Sequence, residues 1–211
     1  FYMTKGTNEV HDPAQCLKET NQKFDIFQYV CQFSLTDKVY ISTIKNKSIL
    51  NSCIQSATQK NNDTLAGDIQ QEFKVTSKSA INQVKDELKW HLSNIFNKEV
   101  LVVKLNELWV NHQKATEYNP SHSHDGQFSF VIYAEISESI REEYKESFGN
   151  AKTRGLIQFN SQLTNDVMVF NPSKYTVLIF ESSHLHQVYP FYSNETRISI
   201  AGNIADIIID Q

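Results

Sequence analysis

The second half of the chain consists of short strand-forming runs separated by turns. Eight such runs follow Glu99, and each is rich in β-branched and aromatic residues: VLVVKL, LWVNHQ, FSFVIYAEI, GLIQF, VMVF, YTVLIF, HQVYPF and RISIAGNI. Many short strands between turns predict a β-sandwich or a β-barrel. At 211 residues, the whole chain has the size of one such domain with a single core.

The first half of the chain predicts elements that support such a core. Aromatic and β-branched residues fill positions 24–35, and a second strand-like run follows the turn at Thr36, so we expect a β-hairpin. One helical pattern begins at Ser48, and a stronger one near Ser79 repeats apolar residues at every third or fourth position. Together these patterns predict a mainly β fold with supporting helices, of the α+β class.

The same patterns set the expected domain organisation. Residues 1–23 are polar and show no sustained period, which predicts an irregular N-terminal tail. Residues 24–211 are expected to form a single domain, with the hairpin and supporting helices in 24–98 and the β core in 99–211. The charged run SESIREEYKESFG, at 137–149, interrupts the strands and predicts an exposed helical or lid-like insert.

Charge and cysteine content exclude several classes of partner. The formal net charge of -4 and the pI near 6.0 give the whole molecule no attraction to phosphate backbones or anionic lipid. The sequence has no apolar run of membrane-spanning length and no signal-peptide pattern. Its three cysteines, Cys16, Cys31 and Cys53, lack C-x-x-C spacing and predict reduced thiols. We expect a cytoplasmic protein with neither membrane nor strong nucleic-acid binding.

Two pairs of histidines, each with one residue between them, are the strongest chemical signal. His122 and His124 precede the strand FSFVIYAEI, and His184 and His186 open the strand HQVYPF. Residues two apart on a strand point to the same side, so each pair can direct two imidazoles at one point. Such a pair is either a set of metal ligands or a hydrogen-bonded pair without metal. The turn-forming residues around the first pair favour ligands at the open end of a barrel.

Arg197 is the second chemical signal. It is one of three arginines, and it enters the apolar strand RISIAGNI, whereas Arg141 and Arg154 lie in polar surroundings. A guanidinium that faces the interior costs several kcal/mol unless an anion pairs with it. Ser199 shares its face, so the two side chains together suit a carboxylate ligand. The alternatives are that Arg197 faces outward or pairs with an internal Asp or Glu.

These residues resemble the Fe(II)- and 2-oxoglutarate-dependent oxygenases. The resemblance is carried by HSH at 122–124, HQVYPF from position 186, and RIS at 197–199, in the order in which the family has its histidines and its R-x-S motif. The WVN at 109–111 adds the W-x-N of prolyl-hydroxylase-like oxygenases of bacteria and phages. The resemblance covers roughly residues 100–205 and implies a double-stranded β-helix, a jelly roll similar to that of the cupins.

The metal ligands that the resemblance implies differ from the usual set. The family's typical triad is two histidines and one carboxylate, the latter supplied by an H-x-D motif. Here His124 stands at the position of that aspartate, and Asp125 follows it directly. A regular strand would turn Asp125 to the opposite face. We therefore predict a three-histidine site of His122, His124 and His186, with Asp125 as the alternative ligand if the chain bulges.

The resemblance also implies the cofactors and the reaction. Arg197 and Ser199 would bind the far carboxylate of 2-oxoglutarate, and Asn111 and Tyr118 lie where the superfamily often places further contacts to it. The cofactors would be Fe(II), 2-oxoglutarate and O2. The enzyme would be a dioxygenase that hydroxylates a C–H bond and releases succinate and CO2.

Several alternatives stay open at this point. The substrate is a protein or peptide residue, or a small molecule. A cupin-type metalloenzyme without 2-oxoglutarate would use both histidine pairs, and a non-catalytic jelly-roll module would hold a metal or none. Arg197 discriminates, because neither alternative needs an arginine at that spacing.

Overall fold

Two antiparallel β-sheets pack against each other in this protein. The computed structural model describes residues 29–32, 38–62, 65–147, 152–161 and 166–210. The tail expected at 1–23 and part of the expected hairpin lie outside these ranges, although the two strands of that hairpin are described and pair in antiparallel register. The predicted β-sandwich with supporting helices is confirmed.

Twelve strands make up the two sheets in the described residues: β1 Tyr29–Gln32, β2 Lys38–Thr43, β3 Ala57–Lys60, β4 Glu72–Val75, β5 Val100–Gln113, β6 Asn119–His122, β7 Phe128–Glu135, β8 Ile157–Asn160, β9 Val167–Phe170, β10 Thr176–Glu181, β11 His186–Val188 and β12 Arg197–Ile209. The large sheet has the order β1-β2-β10-β7-β12-β5-β4-β3, and the small sheet has the order β6-β11-β8-β9. Neighbours in both sheets run antiparallel.

Two helices cover the outer face of the large sheet. They are α1 Ser48–Ser56 and α2 Lys78–Phe96. The Ser77 hydroxyl caps α2 by accepting a hydrogen bond from the N–H of Ala80, and the helix ends at Asn97 in the left-handed conformation, with φ of 52°. Apolar residues of both helices join the core beneath this sheet. None of the helices in the described ranges is long and apolar enough to span a bilayer.

Alternation along the central strands β5, β7 and β12 separates the two faces of the large sheet. Even-numbered residues pack with the helices and include Leu108, Val110, Phe130, Ile132 and Ile200. Odd-numbered residues point to the small sheet and include Asn111, Tyr133, Arg197 and Ser199. Register shifts after Asn203 reverse this order, so Ile207 and Ile209 pack against the helix-side core.

The space between the sheets is apolar at one end and polar at the other. The apolar end is a cluster from both sheets: Val39, Tyr133, Ile157, Phe159, Met168, Phe170, Leu178 and Phe180. The polar end lies against β5 and β12 and is open as a cavity. The apolar cluster therefore holds the sheets together and leaves room for a ligand beside it.

The charged segment after β7 is helical but is not a wholly exposed insert. It forms α3 Glu138–Glu142 and a 3-10 helix, Glu143–Glu146. Ile140 is fully buried and packs with Phe191, while the buried Glu143 carboxylate accepts hydrogen bonds from the N–H groups of Tyr192 (2.7 Å) and Ser193 (2.6 Å). The segment therefore holds the loop after β11 in place. Its many charged residues predicted an exposed insert and gave no sign of these contacts.

Candidate metal and cosubstrate site

One cavity lies between the two sheets and contains most of the predicted site residues. It encloses about 570 Å³, its open mouth included. The large sheet supplies residues of β5, β7 and β12, and ten of those twelve have odd numbers. The small sheet contributes Asn119, His122, Ile157, His186 and Val188. The wall from the large sheet is thus the polar face that strand alternation creates.

Three histidines meet at the small-sheet side of this cavity. His122 ends β6 and His186 begins β11, and the two residues are direct neighbours across the paired strands. The ring of His122 lies 4.3 Å from that of His186 and 4.8 Å from that of His124, measured between centroids. Their ligand nitrogens all lie within 4.8 Å of one another. The structure therefore brings together the three histidines that the sequence singled out.

The hydrogen bonds of two of these rings leave one nitrogen of each available to a metal. Nδ1 of His122 lies 2.7 Å from the carbonyl oxygen of Pro120, and Nδ1 of His186 lies 3.0 Å from that of His184. A nitrogen beside a carbonyl carries the proton, so Nε2 keeps its lone pair. A metal-binding histidine is oriented by the same kind of contact.

Burial keeps all three imidazoles in the neutral form that ligates metals. It lowers the pKa of His122, lowers the pKa of His124 to about 4 and lowers the pKa of His186 to about 3. The proximity of the rings adds to the effect for His124 and His186. Three neutral nitrogen donors at the wall of a cavity suit a divalent transition metal.

Two other candidates stand outside this cluster. Asp125 is exposed and is not part of the group of ligand atoms. His184 is buried against Phe159, with ring centroids 5.5 Å apart, and it too is outside the group. It lies in the turn before β11, so the alternation that would align it with His186 does not apply there.

Arg197 is buried on the opposite wall and lines the cavity. Its Nε and Nη2 donate to Oε1 of Gln113, the former over 3.1 Å, and its Nη1 donates to the carbonyl oxygen of Gly155. The Phe191 ring lies 5.6 Å from the guanidinium carbon. In the described part of the chain no ion pair includes Arg197. Both alternatives for this residue, facing outward or pairing with an internal acid, are therefore wrong for the described residues.

The remaining predicted cosubstrate contacts divide into two groups. Asn111 and Ser199 are direct neighbours across β5 and β12 and both line the cavity. Tyr118 is 41% exposed and is not among the residues that line the cavity, so its contact with the cosubstrate stays a prediction. An isolated bridge to Asp68 holds the backbone of Tyr118 beside the cavity while the side chain stays outside.

Gln113 and Tyr133 are among the cavity residues that were not predicted as site residues. Gln113 lies two positions after Asn111 on β5, and Tyr133 is the neighbour of Ser199 on β7. Alternation along β5 from Asn111 would have found Gln113. Tyr133 required the strand pairing, because its sequence surroundings are those of an ordinary buried strand.

A buried carboxyl pair lies behind Asn111. Glu72 of β4 is the direct neighbour of Asn111, so their side chains share a face, and Glu72 is 1% exposed. The carboxylate of Glu117 accepts hydrogen bonds from the N–H groups of Gln70 (3.1 Å) and Lys114 (2.8 Å). Among the described residues, Glu72 Oε2 has no hydrogen-bond partner. Burial, and then the charge of Glu117, raise the pKa of Glu72 to about 8, which leaves it neutral at pH 7.

We expect Glu72 to destabilise the folded protein as the pH rises. Its folded-state pKa is raised, so its contribution to stability is complete below its unfolded pKa and is lost as the pH rises through about 8. From pH 6 to pH 9 the free energy of unfolding should fall by about 2–3 kcal/mol because of this group. Glu72→Gln should lose that dependence, as measured by urea unfolding at both pH values. Glu99→Gln, at an exposed carboxylate, is the control, and equal pH slopes in all three proteins would contradict the assignment.

Three solved structures with a similar fold are prolyl hydroxylases. The chain is similar to a viral collagen prolyl hydroxylase from Paramecium Bursaria Chlorella virus-1 in its 2-oxoglutarate complex, with 12% identity, TM-score 0.53, and coverage of 79% of this chain and 94% of that one. It is also similar to a Pseudomonas putida prolyl-4-hydroxylase, with 12% identity, TM-score 0.52, and coverage of 81% and 93%. A third is a Trichoplax adhaerens prolyl hydroxylase bound to a hypoxia inducible factor peptide fragment, with 14% identity, TM-score 0.51, and coverage of 80% and 83%.

The fold is a double-stranded β-helix, which confirms the predicted fold, and the three clustered histidines could hold a metal ion. Residues 107–203, which include the three clustered histidines and Arg197, match the family model described as putative 2OG-Fe(II) oxygenase. This match, together with the histidine cluster, supports a 2-oxoglutarate-dependent dioxygenase that uses Fe(II), 2-oxoglutarate and O2. This favours the predicted enzyme over the cupin-type and non-catalytic alternatives. No curated protein sequence matches the chain.

Proposed function

We propose that His122, His124 and His186 ligate the Fe(II) of this oxygenase. The observation that carries the proposal is the pairing of a neutral three-histidine cluster with a buried arginine across one cavity. The donor set fits the metal, because imidazole suits iron and three protein ligands leave coordination positions open. When bound, the Fe(II) supplies the activation of O2 that oxidises a C–H bond while 2-oxoglutarate becomes succinate and CO2.

Arg197 and Ser199 are the proposed site of the distal carboxylate of 2-oxoglutarate. A guanidinium has five N–H donors, and three hydrogen bonds to Gln113 and Gly155 leave two of them. Two parallel donors match the two oxygens of a carboxylate. The Ser199 hydroxyl lies on the same face, and the side-chain amide of Asn111 lines the wall next to it.

Part of the remaining cavity wall is apolar. Trp109, Ile157, Phe180 and Val188 line it with apolar surface. Interactions between charges are stronger where water is absent, so this wall strengthens the pairing of Arg197 with a carboxylate. Among these residues, Trp109 has its ring 6.0 Å from that of His124, which places an intrinsic fluorophore at the site.

The proposed substrate is a residue of a protein or peptide. Two of the similar structures are named for such substrates, a collagen prolyl hydroxylase and a prolyl hydroxylase bound to a peptide fragment. Tyr118 and Leu185 directly precede the cavity residues Asn119 and His186, and each is 41% exposed. An exposed aromatic and an exposed aliphatic side chain beside the cavity suit contacts with a chain that extends past it.

The cytosol is the proposed compartment, which agrees with the buried free thiol of Cys53.

The test is cosubstrate turnover followed by substrate search. With Fe(II), ascorbate and 2-oxoglutarate in air, the protein should release succinate, and a substrate peptide should increase the rate. Proline-containing peptides are screened by mass spectrometry for the gain of one oxygen atom. Absence of succinate under every condition would overturn the residue assignment above. Succinate release that only small molecules stimulate would overturn the peptide proposal alone.

A further inference from the structure

Gln113 is the residue that fixes the orientation of Arg197. We propose that its neutral amide positions the guanidinium for a ligand carboxylate and leaves the positive charge unpaired for that ligand. The inference rests on the proposed function of Arg197, and it assigns Gln113 a positioning role, because Gln113 acts through the arginine.

The amide of Gln113 is held so that its oxygen faces Arg197. Gln113 ends β5 and is the direct neighbour of Arg197, the first residue of β12. It is 3% exposed, and its Nε2 donates to the carbonyl oxygen of Glu117 over 2.6 Å. A carbonyl can only accept, so this bond assigns the nitrogen to one side of the amide and the oxygen to the other. The oxygen therefore accepts from Nε and Nη2 of Arg197.

The donors that remain on Arg197 form a fork. Oε1 of Gln113 uses Nε and one N–H of Nη2, and the carbonyl oxygen of Gly155 uses one N–H of Nη1. One N–H is left on each terminal nitrogen. Two N–H groups on the two terminal nitrogens can bind a carboxylate through two parallel hydrogen bonds. The two protein acceptors thus select which edge of the guanidinium a ligand can reach.

The choice of an amide over a carboxylate has an electrostatic reason. A glutamate at 113 would accept the same hydrogen bonds from Arg197, but it would lose the hydrogen bond donated to the carbonyl oxygen of Glu117, form a buried ion pair with Arg197 and cancel its charge. A dianionic ligand would then meet an additional negative charge in a site of low dielectric constant. Since no carboxylate in the described residues pairs with Arg197, its charge stays available.

The test compares three variants by their affinity for 2-oxoglutarate, which is titrated into the anaerobic Fe(II) protein. Binding is followed by the visible charge-transfer band and by the tryptophan fluorescence, to which Trp109 at the site contributes, and metal affinity is measured separately. We expect Gln113→Glu to weaken 2-oxoglutarate binding at least 100-fold and Gln113→Met to weaken it about 10-fold. Gln127→Glu, at an exposed position, carries the same charge change and should bind like wild type.

Thermal unfolding separates the positioning role from a structural one. Gln113→Glu adds a charged partner to a buried arginine but loses the hydrogen bond that Nε2 donates to the carbonyl oxygen of Glu117, so its unfolding temperature should stay close to that of the wild type, and its Fe(II) affinity should stay within twofold. Wild-type 2-oxoglutarate affinity in Gln113→Glu would overturn the inference, and so would an equal loss in Gln113→Glu and Gln113→Met. Failure of the wild type itself to bind 2-oxoglutarate would instead overturn the proposed function of Arg197, and this inference with it.

Discussion

Arg197→Lys is expected to lower the affinity for 2-oxoglutarate about a hundredfold while Fe(II) binding persists. Each hydrogen bond from a charged donor contributes on the order of 1.5–3 kcal/mol, and lysine reproduces neither the bidentate geometry nor the contacts to Gln113 and Gly155. Two bonds at the low end correspond to about 3 kcal/mol, which is roughly a factor of 100. The measurement is titration of 2-oxoglutarate into the anaerobic Fe(II) protein.

The control variant is Arg141→Lys, which makes the same substitution at an arginine outside the cavity. The Arg141 side chain pairs with Glu138 on α3 at 2.8 Å, outside the cavity, so Arg141→Lys should leave the affinity unchanged. Lysine at 197 keeps the positive charge, which limits the cost to folding. If Arg197→Lys binds 2-oxoglutarate as tightly as wild type, the carboxylate anchor lies elsewhere.

His124→Ala should lower Fe(II) affinity by more than about a hundredfold, and His124→Asp should restore most of it. Removal of an outer-shell partner typically costs about 10–100-fold in metal affinity, so removal of a ligand costs more. Aspartate at this position completes the H-x-D motif whose absence distinguishes the sequence, and it adds a negative charge next to the metal. Competition with a chelator measures both affinities.

The aspartate variant is the informative one, because it separates ligation from packing. Aspartate is smaller than histidine and leaves the contact with Trp109 unfilled, as alanine does. A structural role for His124 therefore predicts equal losses in the two variants. Recovery of metal binding by aspartate alone assigns the position to the metal.

Much of the site could be predicted because its residues lie on strands with regular alternation. His122 and His186 take the ends of two paired strands, and Ser199 shares the face of Arg197 two residues away. A period of two is readable from the sequence, and it predicts which side chains point together. The fold class followed from the same pattern of short strands.

The parts that could not be predicted depend on turns and long-range contacts. His184 does not point to the same side as His186 by strand alternation, because the strand begins only at His186. Tyr118 lies at an isolated β-bridge, and its side chain is exposed. The burial of Glu143 comes from backbone N–H groups 49 and 50 positions away. Charge in a short segment does not reveal such partners.

The two faces of the central strands encode two independent properties of this enzyme. Over the stretches of β5, β7 and β12 beside the cavity, most cavity residues are odd-numbered, while most even-numbered neighbours pack with the helices. Point substitutions on the odd face can therefore change the molecules that the enzyme accepts and leave its folding core intact. A deletion of one residue within positions 197–203 would instead exchange the two faces at once. Divergence of such a scaffold toward new substrates is therefore expected to proceed by substitution and not by changes in strand length.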